Sequence, residues 1–359
     1  MITAIIFILV LAVLILAHEF GHFIAAKKSG LTVEEFGFGF PPRIFGIKKG
    51  ETVYSVNLLP LGGFVKILGE DGNDTSNPKS FSSKSTGTRG LITVSGVAMN
   101  FLLAMSLLIA GYFIGLPQII DQNNEAIAKN TAIQIVAVSG NSPAEKAGIK
   151  MGDAIKSVKI GDKTVAVNEI SVLQDAINAN KGKEILFNIQ RGKDYFEIKA
   201  TPRINPPEGE GALGIGLAKT GFISYPWHQS FWLGIKSTFI LTWEIIAGFW
   251  DLLKNLITAG KTPQGLAGPV GIAVLTNQAA QLGFIYLLQL VAVISLNLTV
   301  LNLIPFPALD GGRLLFLAIE KIKGSKVNPK IENAIHSIGM ILLLILVALI
   351  TYRDILRLK

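Results

Sequence analysis

Four apolar stretches, each long enough to cross a bilayer as a helix, constrain this chain before anything else does. They run over residues 2–26, 91–116, 283 to about 303, and 334–352. A spanning segment must satisfy its own backbone hydrogen bonds, so the expected fold class is a multi-pass α-helical membrane protein with about four transmembrane helices. Half of the 359 residues are hydrophobic and 16% are charged, which fits that class. Cysteine is absent, and with it disulfides and thiolate metal ligands. The net charge of +8 does not point to nucleic acid, because the basic residues are spread out and many flank the apolar stretches, as membrane topology requires.

The first stretch has no basic residue before Lys27, so it lacks the positive n-region of a signal peptide. Lys27 and Lys28 follow it instead. The positive-inside rule then puts its N-terminus outside and its other end in the cytosol. The organisation expected is a first transmembrane helix over 1–26, a cytosolic loop over 27–90 and a second helix over 91–116. An extracytoplasmic domain follows over 117–222, then an amphipathic helix and linker over 223–282. A third transmembrane helix takes 283–315, a cytosolic loop 316–333 and a fourth helix 334–352. Lys321, Lys323, Lys326 and Lys330 in the last loop agree with the rule.

Several of the connecting segments carry patterns of their own. "ETVYSVNLLPLGGFVKI" (51–67) has β-branched and apolar residues around Pro60-Leu61-Gly62-Gly63, the pattern of a β-hairpin. Its tip is too apolar for an exposed turn, so a membrane-inserted hairpin is expected; a small soluble hairpin stays open. Residues 70–90 are polar and rich in turn formers, which predicts an exposed, mobile connection. From Ala132 to Ala200 the pattern gives a strand, a Ser-Pro helix start, a short helix ended by Gly148, another strand, an amphipathic helix and two paired strands. That order, with Ala144, Ala147, Gly148, Gly152 and Asp153 in those places, resembles a PDZ domain of the permuted bacterial type. Such α+β domains capture extended peptides, often at a free C-terminus. Residues 230–257 are apolar but interrupted by Lys236, Glu244, Asp251 and Lys254. With Trp227, Trp232, Trp243 and Trp250 recurring along it, this segment reads as an amphipathic helix on the outer membrane face.

His18-Glu19-Phe20-Gly21-His22 fits H-E-x-x-H and lies inside the first apolar stretch. Residues i and i+4 share one helix face, so two imidazoles can hold one Zn²⁺, with Glu19 placed as general base toward water. Buried histidines of a helix bundle, or a proton relay, are the plainer readings of ionisable groups in a membrane. A catalytic zinc wants three protein ligands. His228 lies outside the membrane and His336 near the start of the last span, an interfacial position, so both are poorly placed. Asp310, in a Pro-rich turn after the third apolar stretch, is the best candidate; an N-capping aspartate is the alternative.

HEFGH in a first span, Asn302, Pro305, Pro307, Asp310, Gly311 and Gly312 in a later one, and a PDZ-like pattern between them resemble the site-2 protease family. The likeness is to the regulator-of-sigma-E type of bacterial inner-membrane zinc metalloprotease, and it covers essentially the whole chain. The resemblance implies regulated intramembrane proteolysis of single-pass membrane proteins, anti-sigma-factor-like or signal-peptide-like, at the cytoplasmic membrane, with the PDZ domain on the extracytoplasmic side. It implies that His18, His22 and Asp310 bind zinc and that Glu19 is the general base. By the same likeness Asn302, assisted by Asn297, contacts the substrate backbone. The hairpin around Leu61, Gly62 and Gly63 corresponds to the family's membrane-inserted loop, which holds substrate as an added strand. Two departures stand. The best-known members carry two PDZ domains where this chain shows one, and "SGVAMN" replaces an alanine-glycine-proline pattern, although Asn100 is kept. Two rival classes remain: a transporter with His18, Glu19 and Asp310 as an ion site, and a PDZ scaffold on a degenerate anchor.

Overall fold

The computed structural model describes residues 2–72, 74–122, 124–259 and 267–357. The chain starts with helix α1 (Ile2–Lys28), uninterrupted because it is almost wholly apolar and free of proline. Its end is a Schellman motif: Gly30 takes φ +71°, Leu31 N–H donates to the Ala26 carbonyl, and Gly30 N–H donates to that of Lys27. Ala26 and Leu31, buried together, supply the hydrophobic contact that accompanies such an ending.

Strands β1 (Val33–Lys49) and β2 (Thr52–Ile67) follow and pair with each other. Gly37 lies opposite both Phe64 and Ser55, and Phe38 opposite both Gly63 and Val56. Each long strand therefore doubles back, and the 33–38 leg sits between the 63–67 leg and the 53–57 leg. This corrects the expected hairpin: the two arms on either side of Pro60–Gly63 do not pair with each other, because residues 33–38 lie between them. The strand over 33–49 was hidden in sequence by Pro41, Pro42 and three glycines. The exposed connection expected over 70–90 is met in part: Asp71, Asp74, Thr75, Ser76, Pro78 and Lys79 are exposed. Ser80 and Ser82 are buried, Arg89 is 8% exposed, and helix α2 (Thr86–Ile114) starts within the segment.

A seven-stranded sheet comes next, built from β3 (Leu116–Ile119), β4 (Lys129–Val138), β5 (Ala154–Ile160), β6 (Lys163–Ala166), β7 (Ile185–Arg191), β8 (Asp194–Ala200) and β9 (Ile215–Ile223). Its order is β3-β9-β4-β5-β7-β8, with β6 on β5. Helices α3 (Pro143–Lys146) and α4 (Ile170–Ala179) complete it. Ser142 caps α3, accepting from Glu145 N–H at 3.1 Å, with Pro143 at the first helical position. The alternating inward residues of β4, β5 and β7 form one apolar core around Phe187.

Helix α5 (Trp227–Ala259) carries the four tryptophans, all about 70% exposed. Helix α6 (Pro269–Leu282) stands where part of a linker was expected; the rest of that linker, residues 260–266, lies outside the described residues. Then come α7 (Phe284–Leu303), α8 (Asp310–Lys323) and α9 (Pro329–Arg357). The third apolar stretch is thus not one helix to residue 315. Pro305 and Pro307 withhold two backbone donors and the chain leaves helical geometry over 304–309. Among the described residues, α1, α2, α7 and α9 are the helices long and apolar enough to cross a membrane. By contacts the chain divides into two compact units: Met1–Leu108 with Gly234–Asn277 and Leu290–Lys359, and Ile109–Leu233 with Gln278–Gln289.

Candidate metal centre

His18 and His22 stand one turn apart on the same face of α1, so their separation follows from helix geometry alone. Their Nε2 atoms are 3.2 Å apart. The His22 ring is oriented by its other nitrogen: Nδ1 lies 2.8 Å from the Ile92 carbonyl oxygen of α2 and donates to it. In the neutral ring Nε2 is then a bare lone pair, the form in which imidazole binds metals. This contact requires α1 and α2 to approach very closely. A Cβ on Gly21 would lie 2.1 Å from the Ser95 carbonyl oxygen, and one on Gly96 would lie 2.3 Å from His22 Nε2. Small residues permit such an approach between apolar helices.

Asp310 opens α8 as its first residue. The N-cap is Leu309, which makes no side-chain capping bond. Asp310 Oδ2 lies 3.2 Å from His18 Nε2 and 3.4 Å from His22 Nε2. Gly311 and Gly312 let α8 fold back under the end of α7: Cβ atoms there would come within 2.2 Å of the Ile304 carbonyl oxygen and 2.4 Å of that of Phe306. The three ligand atoms therefore form a triangle with edges of 3.2, 3.2 and 3.4 Å. Ligands on a tetrahedral zinc, with bonds of about 2.0–2.1 Å, stand roughly 3.3–3.4 Å apart. Asp310 Oδ2 is also buried with no hydrogen-bond partner, as expected of an oxygen whose partner is a metal. Two nitrogens and one carboxylate oxygen form a donor set that suits zinc and leaves a fourth position open.

Glu19, Gly63 and Asn302 line one cavity of about 350 Å³ together with His18, His22 and Asp310. Gly63 lies directly on α1, where a Cβ would come within 2.7 Å of Ile15 Cγ2 and 3.2 Å of Glu19 Cγ. Glu70 and Arg313 form an ion pair on the cavity wall. Asn297 does not join the site: its Nδ2 donates to the Val293 carbonyl of its own helix at 2.9 Å. Gly62 instead makes room for the Phe40 ring, and Leu61 lies in β2. Asn100 is buried in α2, where its carbonyl accepts from Ser295 Oγ of α7 at 2.8 Å. His228 is exposed in the first turn of α5. His336 accepts a hydrogen bond at Nδ1 from Ala308 N–H at 2.9 Å.

Sequence reasoning missed Ile92, Gly96 and His336. The first acts through a backbone carbonyl and the second through the absence of a side chain, neither of which a ligand motif displays. For Gly96 a signal existed: it stands in an apolar helix, where glycine marks close packing.

The model of the family described as Peptidase family M50 matches residues 6–346. The chain is similar to a Clostridium perfringens protein provisionally named a zinc metalloprotease, at 35% identity over 97% of each chain. It is similar at 30% identity, over the whole of both chains, to the zinc metalloprotease RasP of Oceanobacillus iheyensis. The regulator of sigma-W protease RasP of Bacillus subtilis is 29% identical over 99% of both.

Proposed function

The chain belongs to peptidase family M50, and we propose that it is an intramembrane zinc metalloprotease that hydrolyses peptide bonds in or near the transmembrane segments of single-pass membrane proteins. The triangle of His18, His22 and Asp310, with Glu19 in the same cavity, is the observation that carries this reading. A zinc ion held there supplies Lewis acidity, polarising a carbonyl and bringing the pKa of water to about 7. His22 is kept in the metal-binding tautomer by the Ile92 carbonyl. Glu19 takes the proton from the attacking water and returns it to the leaving amine. His18 lies nine residues before Lys27, about 13 Å along a helix, so the chemistry sits inside the bilayer within reach of cytosolic water.

The 63–67 leg of β2 supports a substrate-holding role. It lines the cavity, and among the described residues its register gives it 33–38 as partner on one edge alone. A substrate strand added to the open edge would pass Glu19, with the Asn302 amide available for its backbone. Phe40, Ile44, Phe45, Ile47, Leu58 and Leu59, about half exposed, suit a sheet that dips into lipid. Residues 117–222 serve as an extracytoplasmic PDZ domain for peptide C-termini. Residues 215–218 of β9 pair with β4 on one edge, while β3 reaches the other edge only from Thr220 onward. The exposed tryptophan face of α5 rests on the outer leaflet.

Glu19→Gln tests the assignment. It removes the base but no ligand, so zinc should remain near one per chain while cleavage of a membrane-embedded reporter falls by about 10²–10⁴. Wild-type turnover by this variant would overturn the role of Glu19 and, with it, the mechanism.

A further inference from the structure

We propose that His336 is a positioning residue of the metal centre, holding the turn that delivers Asp310 to its place; this rests on the zinc reading above. Between α7 and α8 the chain is irregular, and at Ala308 it takes φ +81°, a conformation that residues with a Cβ rarely adopt. Asp310 follows two residues later, so the direction of its carboxylate depends on that turn being held. Pro305 and Pro307 offer no backbone N–H to brace it. Phe306 and Leu309 N–H bond inside the turn, to the Ile304 and Phe306 carbonyls, and the Ala308 N–H ties it to α9, donating to His336 Nδ1 at 2.9 Å.

A second contact of α9 fixes the preceding residue. Gly339 lies one turn beyond His336, and a Cβ there would come within 2.4 Å of Pro307 Cβ and 2.5 Å of its carbonyl oxygen. The helix backbone therefore rests on Pro307 while the imidazole holds Ala308. The same ring packs against Phe316 of α8, with centroids 5.5 Å apart. Packing and hydrogen bonding are thus both available as roles, and they can be separated. A neighbour that orients a ligand typically changes metal affinity by about 10–100-fold when removed.

Two substitutions in the full-length protein divide the roles. Phenylalanine keeps the ring and removes the acceptor. Asparagine removes the ring but places a carbonyl oxygen as many bonds from Cα as Nδ1. Zinc affinity is measured by chelator competition and cleavage with a membrane-embedded reporter. His336→Phe should bind zinc about 10–100-fold more weakly and cleave correspondingly slowly, with His336→Asn within about threefold of wild type. Wild-type zinc affinity in His336→Phe overturns the proposal, and so does an Asn variant as weak as the Phe one. If His336→Phe does not accumulate as folded protein, His336→Gln replaces it. Its oxygen lies one bond too far, and equality with Asn would overturn the proposal. A wild-type protein that binds no zinc removes the metalloprotease reading itself, a result distinct from normal wild-type zinc with an indifferent His336.

Discussion

In the seven-stranded unit, Ile133, Ile155, Leu173, Ile185 and Phe187 are packed to 1% exposure or less, and contact is made by large side chains filling space. Around the candidate metal centre, by contrast, the fit depends on missing side chains: a Cβ added at Gly21, Gly96, Gly311 or Gly312 would lie within 2.4 Å of a neighbouring atom. The physical reason lies in the surroundings. In water, burying apolar area drives packing at about 25 cal/mol per Å². Between helices in lipid that drive is lost, and close backbone approach takes its place. One unit should therefore suffer most when atoms are removed, and the other when they are added.

The severest expected effect comes from adding a single methyl. Gly96→Ala would put a Cβ 2.3 Å from His22 Nε2, so either the ring leaves its place or the helices part. Stoichiometric zinc and cleavage should both be lost, as metal analysis and a reporter assay would register; a metallated, active variant would break the comparison. Next in size is Phe187→Ala, which hollows out the β-rich core. It should cost about 3–5 kcal/mol in a denaturant titration of that unit. Zinc content should stay unchanged, because none of the residues lining the metal cavity belongs to the unit. Asn302→Ala should reduce cleavage about fivefold, the worth of one hydrogen bond of about 1 kcal/mol, with zinc retained. Loss of metal would instead mark Asn302 as structural. The smallest effect is the sharpest control. Gly248, in α5, has nothing within 4 Å of where its Cβ would be. Gly248→Ala should therefore raise helix stability by up to about 1 kcal/mol and leave zinc untouched. Damage comparable to Gly96→Ala would show that any glycine, and not only a crowded one, is sensitive.

The same contrast separates what the sequence displayed from what it hid. The spacing of His18 and His22 is legible because helix geometry fixes it. Asp310 stood out because Pro305 and Pro307 break a span just before a carboxylate. The order β4, α3, β5, α4, β7 and β8 followed from hydrophobic periodicity, whereas the short β6 was not read. The 33–49 strand did not, since it pairs across sequence with residues that had seemed to pair among themselves. Ile92 and Ala308 were hidden for a related reason: they act through a carbonyl and an N–H that almost every residue carries, and the role of His336 was hidden because its partner is such a group. Only the fold decides which of them matters.

The 63–67 leg of β2 beside Glu19 takes its backbone partner, 33–38, along one edge. A segment added along its other edge, as proposed for the substrate, must be extended, so any helix in that segment has to uncoil first. A protein working this way acts as a conformational sieve, in which the free energy of uncoiling a segment enters the rate alongside the chemistry. Two segments with identical residues at the cut bond, but different helix strength around it, would be processed at different speeds.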